Sequence, residues 1–239
     1  MKSTAQRAQA TPRGCDAETL RRDLCENGYA HLGRLLSKQA RQSLIAGYER
    51  DQLYRSRVVM QRHAFGRGEY RYFSYPLPKQ VQMLREELYR LLVPTANLWQ
   101  EQLKQNLRFP AHHEQFIQRC HSAEQTKPTP LLLKYEKDDY NCLHRDLYGE
   151  TLFPLQVVIL LSDPREFSGG EFVLTEQRPR MQSRASVIPL EAGHGVAFAV
   201  SERPRPGKRG YYRVTHRHGV STVTGGRRHA LGVVFHDAA

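Results

Sequence analysis

The sequence predicts an α+β protein in which helices come first and a β-sandwich or β-barrel follows. From about Asp16 to Gln125, apolar residues recur with helical periodicity, as in SKQARQSLIAGYERDQLYR. The segment TKPTP at 126–130 marks a boundary, because two prolines within five residues interrupt regular structure. After it come about seven short β-rich runs separated by Gly, Pro and Asp, which is the pattern of a sandwich or barrel.

Three helices are predicted in the first half. Ser37 is a candidate N-cap of the first. The second, QVQMLREELYRLLVPTANLWQEQL, contains Pro94, which we expect to break or kink it, and the third follows Pro110. Between them, residues 58–78 are rich in aromatics, Arg and Gly without a clean period. We expect an ordered, partly extended loop or hairpin there.

These patterns predict one domain preceded by a short tail. Residues 1–14 are polar and are expected to be a disordered tail. A single domain is expected at 15–239, since this length supports one substantial core. Its helical part would span 15–128 and its β-rich part 129–239.

The charge of the chain predicts a polyanionic partner. The net charge is +12, and from Gln177 to the end eleven Arg or Lys residues face three acids. Such a concentration suits phosphate binding, although a solubilising surface is the simpler alternative. No stretch approaches the length of a membrane span, and no secretory signal is evident. Four cysteines without C-x-x-C spacing fit a reducing compartment, so we expect a cytoplasmic protein.

A possible metal site begins at His144 and Asp146. On an extended strand, two residues separated by one place their side chains on the same face, about 7 Å apart. A third ligand is needed, and the segment THRHG offers His216 and His218. Two imidazoles and one carboxylate form the facial triad of non-haem iron(II) oxygenases, which leaves three positions open.

The spacing after the distal histidine resembles that of the 2-oxoglutarate and iron(II) dependent dioxygenases. In their prolyl-hydroxylase-like branch, a basic residue follows the distal histidine by about ten positions. Here Gly226, Arg228 and Leu231 follow His218 by eight, ten and thirteen positions. The resemblance therefore favours His218 over His216. It implies a double-stranded β-helix (jelly-roll) core with an N-terminal helical layer packed on it.

The resemblance also implies cofactors and roles for single residues. Iron(II), 2-oxoglutarate and O₂ would take part, and three residues would be catalytic as the iron ligands: His144, Asp146 and His218. Arg228 would pair with the far carboxylate of 2-oxoglutarate. Tyr135 would donate its phenol to the same co-substrate, whereas Arg227 would face the opposite side of the strand.

More narrowly, the segments HRDLYGE, FPLQVVILLSDP and GGEFVLTEQRPRMQSRA look like a bacterial group of oxygenases described as acting on damaged nucleic acid. We therefore expect hydroxylation or oxidative demethylation of bases that are single-stranded or flipped out of a duplex. Six residues are candidates for substrate binding: Arg67, Tyr70, Tyr72, Arg178, Arg180 and Arg184. The Gly68, Tyr70 and Tyr72 pattern resembles the lid of AlkB-type dealkylases, but Leu133 stands where those enzymes carry Asn.

The alternative is a protein hydroxylase that acts on a prolyl or other residue. A basic surface would also suit a ribosomal target, and the arginine at the tenth position is typical of the prolyl-hydroxylase-like branch. A small-molecule substrate is the third possibility.

Overall fold

The structure of the protein is a computed structural model that describes residues 16–239. The predicted tail at 1–14 lies outside the described residues. Within the described range the chain forms four α-helices: α1 Ala17–Asn27, α2 Lys38–Ala46, α3 Lys79–Gln102 and α4 His113–Ser122. None of these helices is long and apolar enough to cross a membrane.

Two sequence predictions about the helices have different outcomes. The predicted N-cap Ser37 is confirmed, because its hydroxyl accepts the N–H of Ala40 at 3.2 Å. Of the break or kink predicted at Pro94, the break is wrong, because α3 continues through this residue to Gln102. Proline removes the hydrogen bond to the carbonyl four residues earlier, which belongs to Arg90. Both residues are exposed, so water can satisfy that carbonyl.

Fifteen strands complete the described chain. In order they are β1 Tyr29–Arg34, β2 Tyr54–Val59, β3 Gly66–Arg67, β4 Glu69–Phe73, β5 Leu131–Tyr135, β6 Tyr140–His144, β7 Leu155–Leu160, β8 Phe167–Gly169, β9 Phe172–Gln177, β10 Arg184–Ile188, β11 His194–Ala199, β12 Glu202–Gly207, β13 Gly210–Val220, β14 Val223–Gly226 and β15 Arg228–Val233.

Thirteen of the strands form two antiparallel sheets that pack face to face, and β8 and β14 pair as a separate two-stranded sheet. The large sheet has the order β1-β11-β7-β15-β5-β4-β2, and the small sheet has the order β10-β9-β13-β6-β3, with β12 beside β13. Val158, Phe198 and Ala230 of the large sheet pack against Phe172 and Leu174 of the small one. The predicted α+β fold with a jelly-roll core is confirmed.

The helical layer covers the outer face of the large sheet. Strand β7 shows how this works, because it is buried along its whole length. Val157 and Ile159 pack with Leu88 and Trp99 of α3 in the main apolar core. The alternate residues of β7, among them Val158, point to the small sheet, since side chains alternate across a strand.

The part of the chain at 15–128 contains strands as well as helices, which corrects the prediction of a helical part but agrees with the loop or hairpin expected at 58–78. β1 extends one edge of the large sheet, and β2 and β4 form the other edge as a hairpin within 54–73. The alternation of buried and accessible residues in β4 is not visible in the sequence because two of its buried residues, Glu69 and Arg71, are charged. Both are buried, and Lys134 and Asp51 neutralise them at 2.7 Å and 2.5 Å, respectively.

A buried ion pair ties the C-terminal end of the chain to the helical layer. Arg85 in α3 and Asp237 are both inaccessible to solvent, and their charged groups lie 2.7 Å apart. Asp237 also accepts hydrogen bonds from Tyr75 and from the His121 ring, each at 2.9 Å. Breaking one side of such a pair leaves an uncompensated buried charge, so this contact fixes the chain end in place.

Buried histidines predict that the fold loses stability in mild acid. Burial lowers the pKa of four histidines from 6.5 to between about 3 and about 4: His113, His216, His229 and His236. Below about pH 6.5 the unfolded chain therefore binds protons that the folded chain does not. We expect the free energy of unfolding to fall between about pH 6.5 and about pH 4, by up to about 1.4 kcal/mol per pH unit for each histidine.

Urea unfolding at several pH values measures this slope. The control variant His112→Asn, which changes an exposed histidine, should show the same dependence of the unfolding free energy on pH. An unfolding free energy that stays constant from about pH 7 to about pH 5 would show that these histidines are protonated in the folded protein.

Candidate active site

The structure brings together the three predicted metal ligands. His144 ends β6, and the antiparallel pairing of β6 with β13 sets it directly opposite His218. The Nε2 atoms of His144 and His218 lie 3.4 Å and 3.3 Å from the two carboxylate oxygens of Asp146. One ligand atom from each residue falls within 4.8 Å of the others, so the three form a compact cluster.

Two neighbours orient the cluster. The Nδ1 atom of His144 lies 2.7 Å from the carbonyl of Cys142, which directs Nε2 towards Asp146. The Tyr148 hydroxyl donates to Oδ1 of Asp146 at 2.6 Å. Such outer contacts fix the ring and carboxylate orientations that a metal ion requires.

His216, the other histidine of the THRHG segment, lies outside the cluster. Its side chain is fully buried, and its Nε2 accepts a hydrogen bond from Nε of Arg203 at 3.0 Å. His216 shares a face of β13 with His218, but two residues along a strand separate them by about 7 Å. The structure therefore pairs His218 with His144, as the resemblance implies.

Charge balance within the cluster favours a cation. Burial by itself would raise the pKa of Asp146, but the two imidazoles outweigh it and hold this pKa well below its usual range. Burial also opposes protonation of His144, yet contact with Asp146 raises the pKa of this ring. Burial and the neighbouring His144 lower the pKa of His218. Asp146 thus carries a negative charge that its neighbours must compensate.

The donor set fits a ferrous ion. Two ligand atoms at right angles, each about 2.1 Å from one ion, lie roughly 3 Å apart. The separations of 3.4 Å and 3.3 Å between the imidazole nitrogens and the Asp146 oxygens are close to this value. Two imidazoles and one carboxylate are also the donor set of the facial triad.

A cavity of about 180 Å³ extends from the cluster between the two sheets. Arg228 and Tyr135 line it, and they are opposite each other in the pairing of β15 with β5. Arg228 is only 1 % exposed, and its guanidinium lies 5.5 Å from the centre of the Tyr135 ring. Among the described residues this guanidinium forms no ion pair, and the Tyr135 hydroxyl lies near Asn141 without a well-formed hydrogen bond. A carboxylate of 2-oxoglutarate would satisfy both groups.

The surroundings of Arg228 and Arg227 differ, and they favour Arg228 as the candidate partner of the co-substrate. The next residue back, Arg227, points outward and forms an ion pair with Glu136 at 2.8 Å. Gly170 lies against the stem of Arg228, and a Cβ at this position would meet the Arg228 Cδ at 2.9 Å. Gly170 also has a φ of +67°, so the Gly-Gly turn makes room for the buried arginine.

Comparison with known proteins agrees with this geometry. A family model described as "Oxygenase, catalysing oxidative methylation of damaged DNA" matches residues 68–238. The chain belongs to this family. Two uncharacterized proteins of Mycobacterium tuberculosis, from strains CDC 1551 and H37Rv, are each 46% identical to this oxygenase over 168 residues. The match covers 70% of this chain and 72% of each relative.

Solved structures show the same fold at low sequence identity. A prolyl-4-hydroxylase from Pseudomonas putida superimposes with a TM-score of 0.56 at 12% identity, covering 94% of this oxygenase and 100% of that chain. An oxidoreductase of the 2OG-Fe(II) oxygenase family from Burkholderia pseudomallei gives 0.53 at 18% identity, covering 95% and 94%. The family match shows that the protein is an oxygenase, the solved structures show that it has the fold of the 2OG-Fe(II) oxygenases, and its histidine-aspartate cluster could hold a metal ion.

The aromatic candidates for substrate binding lie at the cavity. Tyr70 lines it, and Tyr72 is a buried neighbour. The Tyr72 ring packs edge-on against Tyr70 at 5.3 Å and against Tyr148 at 6.3 Å, and the Arg55 guanidinium lies 4.4 Å from its centre. Arg67 is exposed in β3 and lies 3.6 Å from Asp139.

The three arginines of the β9–β10 hairpin are not among the residues that line this cavity. Arg178 forms an ion pair with Glu176 at 2.9 Å, whereas Arg180 and Arg184 are exposed. A role for them in substrate binding stays a prediction.

Several residues that line the cavity were not among the predicted site residues, and three of them bear on substrate binding. Gln156 of β7, Phe65 before β3 and Arg145 between two metal ligands all line the cavity. Gln156 had a recognisable signal, because it is the one polar side chain within the apolar run LQVVIL. Phe65 begins the segment FGRGEYRYFSYP, in which aromatic residues alternate with Arg, whereas Arg145 had no signal, since basic residues are common around it.

Replacement of Arg228 should weaken co-substrate binding. We expect Arg228→Met to raise the 2-oxoglutarate concentration for half-maximal turnover about 10- to 100-fold, because a charge-assisted pair is lost inside a closed cavity. Arg227→Met, which changes an exposed arginine, is the matched control and should leave this concentration unchanged. The opposite ranking of the two variants, measured by succinate release, would show that Arg227 holds the co-substrate.

Proposed function

We propose that this oxygenase hydroxylates or oxidatively demethylates bases of nucleic acid that are single-stranded or flipped out of a duplex. The family to which it belongs is described as acting on damaged DNA. The observation that carries the proposal is an exposed aromatic ring at the mouth of the cavity. Phe65 lines this cavity, yet 47% of it is exposed, and it stacks on His63 with ring centres 5.4 Å apart.

Phe65 stands in a fixed position relative to the metal cluster. Its carbonyl accepts the N–H of Cys142 at 2.9 Å, two residues before His144. The next residue, Gly66, pairs with Asn141 of β6, and the fully buried Met60 anchors the start of the loop. A rigid aromatic face that is open to solvent suits stacking of an unpaired base, which contributes about 1 to 3 kcal/mol per base.

Less positive charge is free for phosphate than the composition indicates. Of the eleven basic residues after Gln177, five form ion pairs with three carboxylates: Arg178, Arg203 and Arg205 share Glu176, Arg213 pairs with Glu202, and Arg227 pairs with Glu136. Arg228 faces the cavity. The others are exposed without an ion pair among the described residues: Arg180, Arg184, Lys208, Arg209 and Arg217. These five, together with the exposed Arg145 at the cavity, are the candidates for phosphate contacts.

The proposed roles of the site residues follow from their contacts. His144, Asp146 and His218 would hold iron(II), and Arg228 with Tyr135 would hold 2-oxoglutarate. When bound, iron(II) with 2-oxoglutarate and O₂ supplies the oxidation that adds oxygen to a substrate C–H bond and yields succinate and CO₂.

The chain itself contributes orientation and a dry environment. Tyr148 holds the Asp146 carboxylate in place, and the Phe198 and Phe172 rings lie 4.7 Å and 6.1 Å from His218 and exclude water there. Hydroxylation of an N-methyl group would give an unstable product that releases formaldehyde. Hydroxylation of a ring carbon would give a stable alcohol.

A prolyl or other protein hydroxylase, acting on a ribosomal partner, is the second candidate. The exposed apolar side chains Leu143 and Leu147, each 45% exposed, flank the metal ligands and would suit contact with a protein. The spacing of Arg228 from His218 also fits the prolyl-hydroxylase-like branch.

The three described cysteines are free thiols, which supports a cytoplasmic location for either function.

Parallel incubations separate the two functions. The oxygenase is supplied with iron(II) and 2-oxoglutarate, together with either methylated single-stranded oligonucleotides or ribosomal protein extract. We expect formaldehyde, or a mass gain of one oxygen atom, from the oligonucleotides alone. An oxygen gain in ribosomal proteins with unchanged oligonucleotides would favour the protein hydroxylase instead. Asp146→Ala is the control that should yield neither product.

A further inference from the structure

Gln156 is a buried amide without a partner. It lies in β7 among apolar residues, is 5% exposed and lines the cavity. Its Oε1 is buried and accepts no hydrogen bond, and no described residue pairs with the rest of the amide. Since an unpaired buried amide destabilises a fold, its presence here indicates a hydrogen-bonding ligand.

The position of Gln156 places it away from the co-substrate end of the cavity. Strands β7 and β15 are antiparallel, and Leu160 lies opposite Ala230. Residue 162, just beyond the end of β7, therefore lies opposite Arg228. Gln156 is six residues before that position, about 20 Å along the strand. It is opposite Phe198, whose ring contacts His218 at 4.7 Å. The amide therefore belongs to the metal end of the cavity, where the substrate must approach.

Aromatic rings surround this end of the cavity. Tyr148, which donates to Asp146, lines the cavity at this end, as do Phe198 and Phe172 beside His218, whereas Tyr70 packs with Tyr135 nearer Arg228. Flat aromatic walls suit a planar ligand. An amide offers a donor and an acceptor side by side, as the polar edge of a nucleobase requires. A prolyl ring has no such edge of its own.

We propose that Gln156 reads the hydrogen-bonding edge of the target base, and this inference rests on the proposed action on nucleic acid. The side chain determines which base is accepted, whereas Phe65 and the exposed arginines bind any sequence. A site built around a hydrogen bond rejects a ligand that lacks the matching group far more strongly than an apolar site does.

Base preference in the variant Gln156→Leu tests this inference. The probes are single-stranded DNA oligonucleotides that carry one 1-methyladenine, 3-methylcytosine, 1-methylguanine or 3-methylthymine. Wild-type kcat/KM should favour one base at least about tenfold, and Gln156→Leu should reduce that preference about 10- to 100-fold. Gln177→Leu, which changes an exposed glutamine of β9 outside the cavity, should retain the preference.

The unfolding midpoint supplies a readout that a structural role would not give. Leucine has a similar size and suits the apolar strand β7, so Gln156→Leu should raise the midpoint by about 2 to 4 °C, because it removes an unpaired buried amide. A lowered midpoint would mean that the amide supports the fold, and it would overturn the inference. If Gln156→Leu does not fold, Gln156→Met provides the same comparison.

The remaining outcomes distinguish this inference from the proposed function. Active wild-type protein with base preference unchanged in Gln156→Leu overturns the role of Gln156 alone. Wild-type protein that acts on every base equally does the same. Absence of turnover on all four oligonucleotides overturns the proposed function, and the role of Gln156 falls with it.

Discussion

The pairing of β6 with β13 is the constraint on which the active site depends. It sets His144 opposite His218, with Asp146 two residues beyond the end of β6. Neither strand alone provides three ligands, and a shift of one residue would turn one imidazole to the outer face of the sheet. The register is fixed where the small sheet packs on the large one, because Phe172 and Leu174 of β9 pair with β13 and are buried in the interface.

The large sheet arranges the rest of the cavity around this cluster. Strand β15 carries Arg228 at one end, and β7 carries Gln156 at the other. Both side chains are polar and buried, and among the described residues Arg228 forms no ion pair and Oε1 of Gln156 accepts no hydrogen bond. The helical layer makes this possible, because it covers the opposite face of β7 and supplies the apolar core that stabilises the fold. The apolar packing that stabilises the fold thus lies on one face of the large sheet, and the cavity lies on the other.

The strands of the second half and the candidate pair His144 and Asp146 could be predicted from sequence, because apolar alternation and the His-x-Asp spacing are local signals, whereas the choice of His218 over His216 required the family resemblance. Arg228 required the family resemblance, since spacing alone does not separate it from Arg227. The hairpin of β2 and β4 agrees with the loop or hairpin expected at 58–78, but the burial of its charged residues Glu69 and Arg71 was not foreseen, because only their partners in three dimensions explain it. The ion pairs of the C-terminal quarter also depend on contacts that form only in the folded protein. The composition therefore overestimated the positive charge that is available for phosphate. At Pro94 the local rule predicts a break, but the helix continues because solvent can satisfy the Arg90 carbonyl that proline leaves without a hydrogen bond.

Diffraction at the iron absorption edge tests the central claim most directly. Crystals would be grown without oxygen in the presence of ferrous salt and 2-oxoglutarate. We expect a single anomalous peak that contacts Nε2 of His144, Nε2 of His218 and a carboxylate oxygen of Asp146, with co-substrate density that reaches Arg228. No peak at this cluster, or a peak bound by His216 instead, would contradict the account.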